Sequence, residues 1–240
     1  MLICWVRSVC SVSHPLFSSY PEADLSEEDI ERATETTSDI KIAMTVREVA
    51  LFEKYLAKAT NYFEFGCGGS TILACKVGKP DLSVTSVDSS QQWIDTVKSN
   101  EYVVAKDKKG LAQMSTINIG PVGSWGYPTE TVDASQGAWY LYSQAISMTD
   151  NKYDLVLVDG RFRVACLLQS FISNPKASVL IHDFFEPGHH HAYKALLNVS
   201  EVVDRVDTLV ALRPKPSVRK EDLMKMYATY IHIPDRRYQR

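Results

Sequence analysis

Short apolar runs alternate with amphipathic stretches along the chain from a capping-box pair, Thr45 and Glu48, onward. The runs at 153–158 and 178–181 are continuously apolar, which is typical of strands that are buried on both faces. Such strands, alternating with helical periodicity, predict an α/β fold with a doubly wound, mostly parallel sheet. All the strand C-termini then lie at one edge, where ligands bind in sheets of this kind.

The pattern predicts seven strands and six helices. The strands are expected at 62–65, 83–87, 115–119, 153–158, 178–181, 201–206 and 208–212. The helices are expected at 45–58, 72–77, 138–147, 163–172, 189–199 and directly after Ser89, which is expected to cap its helix. In that helix we expect Trp93, Ile94 and Val97 to form the buried stripe.

The N-terminal region differs in composition from the rest. Residues 1–21 contain no acidic side chain and are rich in Ser, which indicates a loosely packed extension or, alternatively, a cleaved leader. Residues 21–40 are acidic and contain few large apolar side chains, as in a linker or a poorly packed helix. We therefore predict a flexible extension over residues 1–40 and a single domain over 41–240.

The net charge of the chain limits the classes of partner that it is expected to bind. The 240 residues carry a formal net charge of -3, which gives no general attraction to nucleic acid or to anionic membranes. Arg236, Arg237 and Arg240 are interpreted as a solvated tail. No apolar run reaches the length of about 18 residues that a spanning helix needs. The five cysteines are odd in number and lack a C-x-x-C pair, which favours a reducing, cytoplasmic location.

A glycine turn follows the first predicted strand. Gly66, Gly68 and Gly69 allow a sharp turn and a close approach of a ligand to the backbone, and the next helix offers free amides. Asp88 ends the next strand, where a carboxylate accepts hydrogen bonds from the ribose hydroxyls of an adenosine. This order of elements predicts a nucleoside site; the alternative is a turn built for geometry alone.

The turn departs from the pattern of a dinucleotide site, because Thr71 stands where G-x-G-x-x-G has its third glycine. Glu64 lies two residues before Gly66, where an acid either holds the loop or faces the cationic end of a cofactor. The string 64–69 thus resembles the first motif of class I methyltransferases. The strings 64–71, 158–166 and 181–184 resemble a group of small methyltransferase-like proteins, and the resemblance covers about residues 45–213.

The resemblance implies S-adenosylmethionine as the cofactor and a Rossmann-like, seven-stranded sheet with an antiparallel last strand. The cofactor contacts that we predict lie in the glycine turn and at the strand ends: Glu64, Gly66, Cys67, Gly68, Gly69, Ser70, Asp88, Ser89, Asn118 and Asp159. The resemblance implies one contact after the third strand, and Asn118 is the residue that we choose for it. With this cofactor, the chain would transfer a methyl group to a small molecule.

Three strand-end residues are the candidate catalytic groups. Asp159 orients the acceptor or contacts the methionine amine, or else it caps the next helix. His182 has a suitable pKa for a base, or is a histidine packed at a strand end. Asp183 and Asp159 resemble the carboxylate pair with which some catechol-type methyltransferases hold a divalent ion. No clear third ligand stands in the sequence, and we predict no metal.

Other polar residues have two interpretations each. Arg161 and Arg163 either bind an anionic substrate group or are solvated. Trp125 and Tyr127 either line a substrate lid or cover the core. Residues 189–191 are consecutive histidines that point in different directions on a helix, so we interpret them as surface.

Two other function classes remain open. One is a nicotinamide-dependent oxidoreductase with an altered glycine loop, against which Thr71 and Glu64 argue. The other is a non-catalytic domain that keeps the fold.

Overall fold

A computed structural model describes residues 19–129, 133–186 and 193–234. The helices are α1 Glu27–Thr36, α2 Val46–Leu56, α3 Gly69–Val77, α4 Gln91–Lys98, α5 Glu101–Asp107, α6 Asp133–Gln144, α7 Arg163–Ser173 and α8 Lys220–Tyr230. The strands are β1 Asn61–Phe65, β2 Ser83–Asp88, β3 Ala112–Thr116, β4 Leu155–Val158, β5 Ser178–Ile181, β6 Ser200–Val206 and β7 Leu209–Pro214. Short 3-10 helices lie at Ser124–Gly126, Ala145–Ser147 and Lys194–Asn198.

The strands form one seven-stranded sheet in the order β3-β2-β1-β4-β5-β7-β6. The first five are parallel, and β7 runs antiparallel to both β5 and β6. The predicted fold class, a doubly wound and mostly parallel sheet with an antiparallel last strand, is confirmed. Because the sheet is covered on both faces, β4 and β5 need apolar side chains on both sides, which explains their continuous apolar runs.

Each face of the sheet packs against its own layer of helices. Phe63 and Phe65 point into a cluster with α7, whereas Tyr62 points into a cluster with α2 and α3. Successive side chains of a strand alternate between faces, so β1 contributes to both cores. In the described part of the chain, no helix is both long enough and apolar enough to span a membrane.

The region before residue 40 contains an ordered helix. Ser26 and Asp29 form a capping box at the start of α1, and Ala33 is fully buried in the core beneath α2. Of the two interpretations of residues 21–40, the helix is therefore the one observed, and Ala33 packs it against the core although large apolar side chains are scarce. The boundary at residue 40 stays a prediction, and residues 1–18 lie outside the described part.

Four other local predictions need correction. The third strand is β3, three residues earlier than expected, because its buried residues alternate with exposed ones and give a weak apolar signal. The residue that caps α4 is Ser90 and not Ser89, because the Ser90 hydroxyl accepts from the amide of Trp93. Trp93 itself is 47% exposed, so it does not belong to the buried stripe of this helix. Helices α5 and α8 were missed, and the first part of the predicted helix at 189–199 lies outside the described residues.

Two strand ends meet without side chains between them. Gly66, after β1, has φ +93°, and a Cβ atom there would lie 2.6 Å from the Cα of Gly160, after β4. A Cβ on Gly160 would lie 2.1 Å from the hydroxyl of Tyr142 and 2.9 Å from the amide nitrogen of Gly66. Both turns therefore require glycine.

Gly66→Ala should destabilise the fold more than Gly110→Ala. Gly110 has φ +69° with open space around it, so alanine there bears only the left-handed backbone cost of about 1–2 kcal/mol. At Gly66, overpacking against Gly160 should add about 1–3 kcal/mol. Urea unfolding of both variants measures the difference, and equal losses would mean that the two turns do not pack as described.

Candidate functional site

The glycine turn is held from behind by a buried carboxylate. Glu64 is fully buried and accepts hydrogen bonds from the hydroxyls of Ser70, Thr71 and Ser86, the last at 3.1 Å. Burial raises the pKa of Glu64 to about 7, although these hydroxyls oppose the change. Two roles were considered for Glu64, holding the loop and facing the cationic end of a cofactor. Its contacts with Ser70 and Thr71 are those of a residue that holds the loop.

Thr71 closes the turn where a dinucleotide site has its third glycine. Its Oγ1 accepts from the amide of Gly68 at 2.9 Å and donates to Glu64. One hydroxyl thus ties the start of α3 to β1. Thr71, where a dinucleotide site has glycine, therefore stabilises the turn through its side chain. In the sequence, the only sign of this role is the absence of the third glycine.

Two other segments border the turn. The indole Nε1 of Trp93 donates to the carbonyl of Cys67 at 2.6 Å, and its ring lies 3.8 Å from where a Cβ of Gly68 would be. A Cβ on Gly69 would lie 2.4 Å from the carbonyl of Lys41. The turn is therefore bordered by α4 on one side and by the segment before α2 on the other.

Asp88 ends β2 beside the glycine turn. Its Oδ1 accepts from the amide of Ser90 at 2.9 Å, so part of the carboxylate fixes the start of α4. Burial raises the pKa of Asp88, while backbone amides of Ser90, Ser89 and Cys67 counteract the rise. The predicted neighbours of a ribose thus come together at one strand end.

The described loop at 120–129 reaches across the ends of β2 and β4. A Cβ on Gly126 would lie 2.9 Å from the Ser89 hydroxyl, and the guanidinium of Arg161 lies 4.0 Å from the centroid of the Tyr127 ring. Trp125 is 73% exposed and does not cover the core. Asn118 is exposed and accepts from the amide of Gly120 at 2.9 Å, within its own loop.

The two arginines after β4 are not solvated. Arg161 is 5% exposed and Arg163 is 3% exposed, so the surface interpretation of this pair is wrong. They differ in their neighbours, because Arg161 stacks on an aromatic ring of the loop whereas Arg163 pairs with the carboxylates of Asp159 and Asp183. A charge buried in this way is held by specific partners.

The three candidate catalytic residues, Asp159, His182 and Asp183, lie together with two further charged residues. We call this group the strand-end cluster: Glu48, Asp159, Arg163, His182 and Asp183. The Nδ1 of His182 lies 3.1 Å from Asp159 and 3.7 Å from Asp183, and its Nε2 lies 3.4 Å from Glu48. Glu48 enters the cluster from α2 and also accepts from the amide and hydroxyl of Thr208. The sequence identified Glu48 only as a capping residue, and nothing in its local pattern signals the second role.

The electrostatics of the cluster favour a charged imidazole. Burial lowers the pKa of His182, but the carboxylates of Asp159, Glu48 and Asp183 outweigh it and hold the pKa well above 6.5. Burial raises the pKa of Glu48, and its hydrogen bonds with His182 and Thr208 reverse this and lower it to about 2. An imidazolium donates hydrogen bonds, so these contacts support the packed-histidine alternative; a catalytic role for His182 stays a prediction.

Asp159 does not cap the following helix. The N-cap of α7 is Phe162, at φ +55°, and Asp159 Oδ1 instead lies within 3.1 Å of both Arg163 and His182. The side chains of Asp159 and Asp183 are 21% and 27% exposed, so both carboxylates reach the surface of the site. These two carboxylates are the more exposed side chains of the cluster, since those of Glu48, Arg163 and His182 are 3%, 4% and 7% exposed. The histidines at 189–191 lie outside the described residues.

No protein-family model matches the chain, and no curated protein sequence matches it. Among solved structures, the chain is similar to a methyltransferase-like protein from Silicibacter pomeroyi, with 27% identity and a TM-score of 0.63 over 80% of this chain and 98% of that one.

Two weaker likenesses have TM-scores below 0.5 and carry no argument about function. A methyltransferase from Podospora anserina, solved with SAH bound, has 12% identity and a TM-score of 0.48 over 81% of this chain and 90% of that one. An O-methyltransferase from Bacillus cereus in complex with SAH has 12% identity and a TM-score of 0.49 over 79% and 92%.

Glu48→Gln should lower the free energy of unfolding by about 1–3 kcal/mol near pH 6. In the wild type, the contribution of His182 is fully present below pH 6.5 and is lost as the pH rises through its raised pKa. The contribution of Glu48 is present above pH 4.5 and is lost as the pH falls towards about 2. Without Glu48, the pKa of His182 in the folded state should be lower, so the alkaline loss should be smaller and should end at a lower pH.

The control is Glu53→Gln on the same helix, whose carboxylate contacts Arg32 at 3.3 Å instead of a histidine. Denaturant unfolding across the pH range should show the wild-type alkaline slope in this variant. An unchanged slope in Glu48→Gln as well would show that Glu48 and His182 are not coupled.

Proposed function

We propose that this chain, whose fold is that of class I methyltransferases, binds S-adenosylmethionine and transfers its methyl group to a small-molecule acceptor. The observation that carries the proposal is the position of Asp88. This carboxylate ends the strand next to the glycine turn, at the sheet edge that also carries Asp159 and Asp183. A ligand whose ribose lies at Asp88 therefore extends along the turn towards the strand-end cluster.

The turn would hold the cofactor mainly through its backbone. Gly66, Cys67, Gly68, Gly69 and Ser70 would present their backbone to the ligand at the start of α3. The amides of Gly66 and Gly68 are already bonded within the chain, so the contacts would come from the other backbone groups of the turn. Asp88 would accept from the ribose hydroxyls, and Ser89 and Asn118, which follow β2 and β3, would contact the base. Glu64, which is fully buried, would act through Ser70 and Thr71 by keeping the turn in shape.

Methyl transfer from the sulfonium is an in-line displacement in which the carbon–sulfur bond breaks as the acceptor atom attacks the methyl carbon. The task of this chain is to align the acceptor and to exclude water. Asp159 and Asp183 are part-exposed and fixed by Arg163, so they would orient the hydroxyl or amine of an acceptor and take up its proton. The loop at 120–129, which contacts both strand ends, would cover the reacting atoms from solvent.

The alternative of a nicotinamide-dependent oxidoreductase is disfavoured by Thr71. Its hydroxyl bonds to the Gly68 amide, which removes that donor from any diphosphate that would lie on the turn. A non-catalytic domain with the same fold remains the other alternative, and only an assay of turnover separates it from an enzyme. A reducing, cytoplasmic location also stays part of the proposal, supported by the thiols of Cys67, Cys75 and Cys166, which are buried and form no disulfide in the described part of the chain.

S-adenosylhomocysteine should raise the thermal midpoint of the purified protein, and NAD should not. A ligand at about 100 times its Kd adds about 2.7 kcal/mol, and each kcal/mol moves the midpoint by roughly 2–4 °C in a chain of this size. A shift of several degrees with S-adenosylhomocysteine alone would support the proposal and justify a screen of acceptors with labelled S-adenosylmethionine. A shift with NAD alone, or with neither, would overturn it.

Asp88→Asn should weaken the binding of S-adenosylhomocysteine by about 1–3 kcal/mol, or roughly 5- to 150-fold in Kd, because the ribose hydroxyls lose a charged acceptor. Asparagine keeps an oxygen for the Ser90 amide, so α4 should still start at the same residue. Isothermal titration calorimetry measures the affinity.

The matched control for Asp88→Asn is Ser90→Ala. It removes the hydroxyl that caps α4 and should lower stability by about 1 kcal/mol while leaving the affinity unchanged. Equal affinity losses in the two variants would mean that Asp88 acts only through the start of α4, and would remove it from the ribose site.

A further inference from the structure

The strand-end cluster has the composition of a metal site. Potential ligand atoms of Asp159, His182 and Asp183 all lie within 4.8 Å of one another, so the structure supplies the third ligand that the sequence did not reveal. Carboxylates with an imidazole suit ions such as Mn²⁺. Whether the group can hold an ion depends on the space between the three side chains and on the lone pairs that face it.

The guanidinium of Arg163 contacts both carboxylates of this group. Its Nη2 lies 3.1 Å from Asp159 Oδ1, and its Nη1 lies 3.0 Å from Asp183 Oδ2, so it links the two carboxylates that an ion would bridge. The same group donates to three backbone carbonyls, those of Asp159 at 3.2 Å, Gly160 at 3.0 Å and His182 at 2.6 Å. All three nitrogens are thereby used, and the side chain is buried.

The imidazole does not itself exclude an ion. Nδ1 faces Asp159 at 3.1 Å and Nε2 faces Glu48 at 3.4 Å, so each ring nitrogen points at a carboxylate oxygen. A metal-bound histidine has the same arrangement, with one nitrogen facing the ion and the other donating to a second group. The residues present therefore do not fit a divalent ion because of Arg163, whose guanidinium links the two carboxylates.

We propose that Arg163 is a built-in cation of the strand-end cluster, and that its guanidinium takes the position between Asp159 and Asp183 in which a divalent ion would otherwise bind. The backbone places it there: Arg163 is the first residue of α7, directly after the left-handed Phe162, and the chain turns at Gly160 just before it. A guanidinium provides charge and fixed donors but no open coordination position.

This assignment has a consequence for catalysis, which rests on the proposed function. Without an ion to lower the pKa of an acceptor hydroxyl, deprotonation falls to the carboxylates that Arg163 orients. Arg163 itself is then a positioning residue, because its nitrogens are directed at Asp159, Asp183 and backbone carbonyls rather than at a bound molecule. Transfer activity should be insensitive to EDTA and to added Mg²⁺ or Mn²⁺.

The experiment is a calorimetric titration of the cofactor-free protein with MnCl₂, so its result does not depend on whether the chain transfers methyl groups. Wild type should show no saturable binding. Arg163→Ala should bind one Mn²⁺, and adding Asp183→Asn to that variant should weaken the binding by about tenfold or more, since a carboxylate ligand is lost. Added Mn²⁺ should raise the thermal midpoint of Arg163→Ala alone.

Arg161→Ala is the matched control, because it removes a neighbouring buried arginine that stacks on Tyr127 and does not lie between the carboxylates. It should not create a Mn²⁺ site. If Arg163→Ala does not fold, Arg163→Gln replaces it, since the amide keeps donors for the backbone carbonyls. Saturable binding to the wild type that Asp183→Asn abolishes would overturn the proposal, and so would a folded Arg163 variant that binds no Mn²⁺.

Discussion

The backbone contact between Gly66 and Gly160 is the constraint on which the rest of the site depends. Two parallel strands end side by side, and the turns that follow them touch without an intervening Cβ atom. This contact brings the glycine turn and Asp159 to adjacent positions on one edge of the sheet. A larger residue at either position would push the two turns apart, and the glycine turn would lose its geometric relation to the carboxylates.

The strand-end cluster ties the remaining elements to that edge. Glu48 brings in α2 and accepts from Thr208 in the turn before β7, while Arg163 joins the ends of β4 and β5 through three carbonyls. Burying these charges has a large desolvation cost, so the cluster is weak evidence of net stability. The cluster instead favours one arrangement of its side chains. Each charged group has a partner at a fixed distance, and any other arrangement would leave a buried charge unpaired.

Features that depend on neighbouring residues could be predicted from the sequence, whereas contacts between residues far apart in the chain could not. The continuous runs of β4 and β5 gave strands within two residues of those observed, and the glycine turn was placed correctly, because both signals are local. β3 was displaced because its apolar residues alternate with polar ones. For α1 the sequence left a linker and a poorly packed helix both open, because one buried alanine gives no signal in the composition. The pairing of Glu48 with His182 had no signal, since it joins a helix start to a distant strand end and depends on the assembled sheet.

The strings 158–166 and 181–184, which contribute to the resemblance, have a physical explanation as one unit. Asp159, His182 and Asp183 supply charge, Gly160 gives the backbone contact, and Arg163 joins the two strings by bonding to the carbonyl of His182. Phe162 and Phe184 are fully buried and fix the turns that hold these groups, and Cys166 donates to the carbonyl of Arg161 at 3.3 Å. The strings therefore specify how the carboxylates are positioned. Because so many of their side chains are engaged with one another, the choice of acceptor in the proposed function would depend mainly on residues outside them, and the loop at 120–129 is a described segment that contacts this unit.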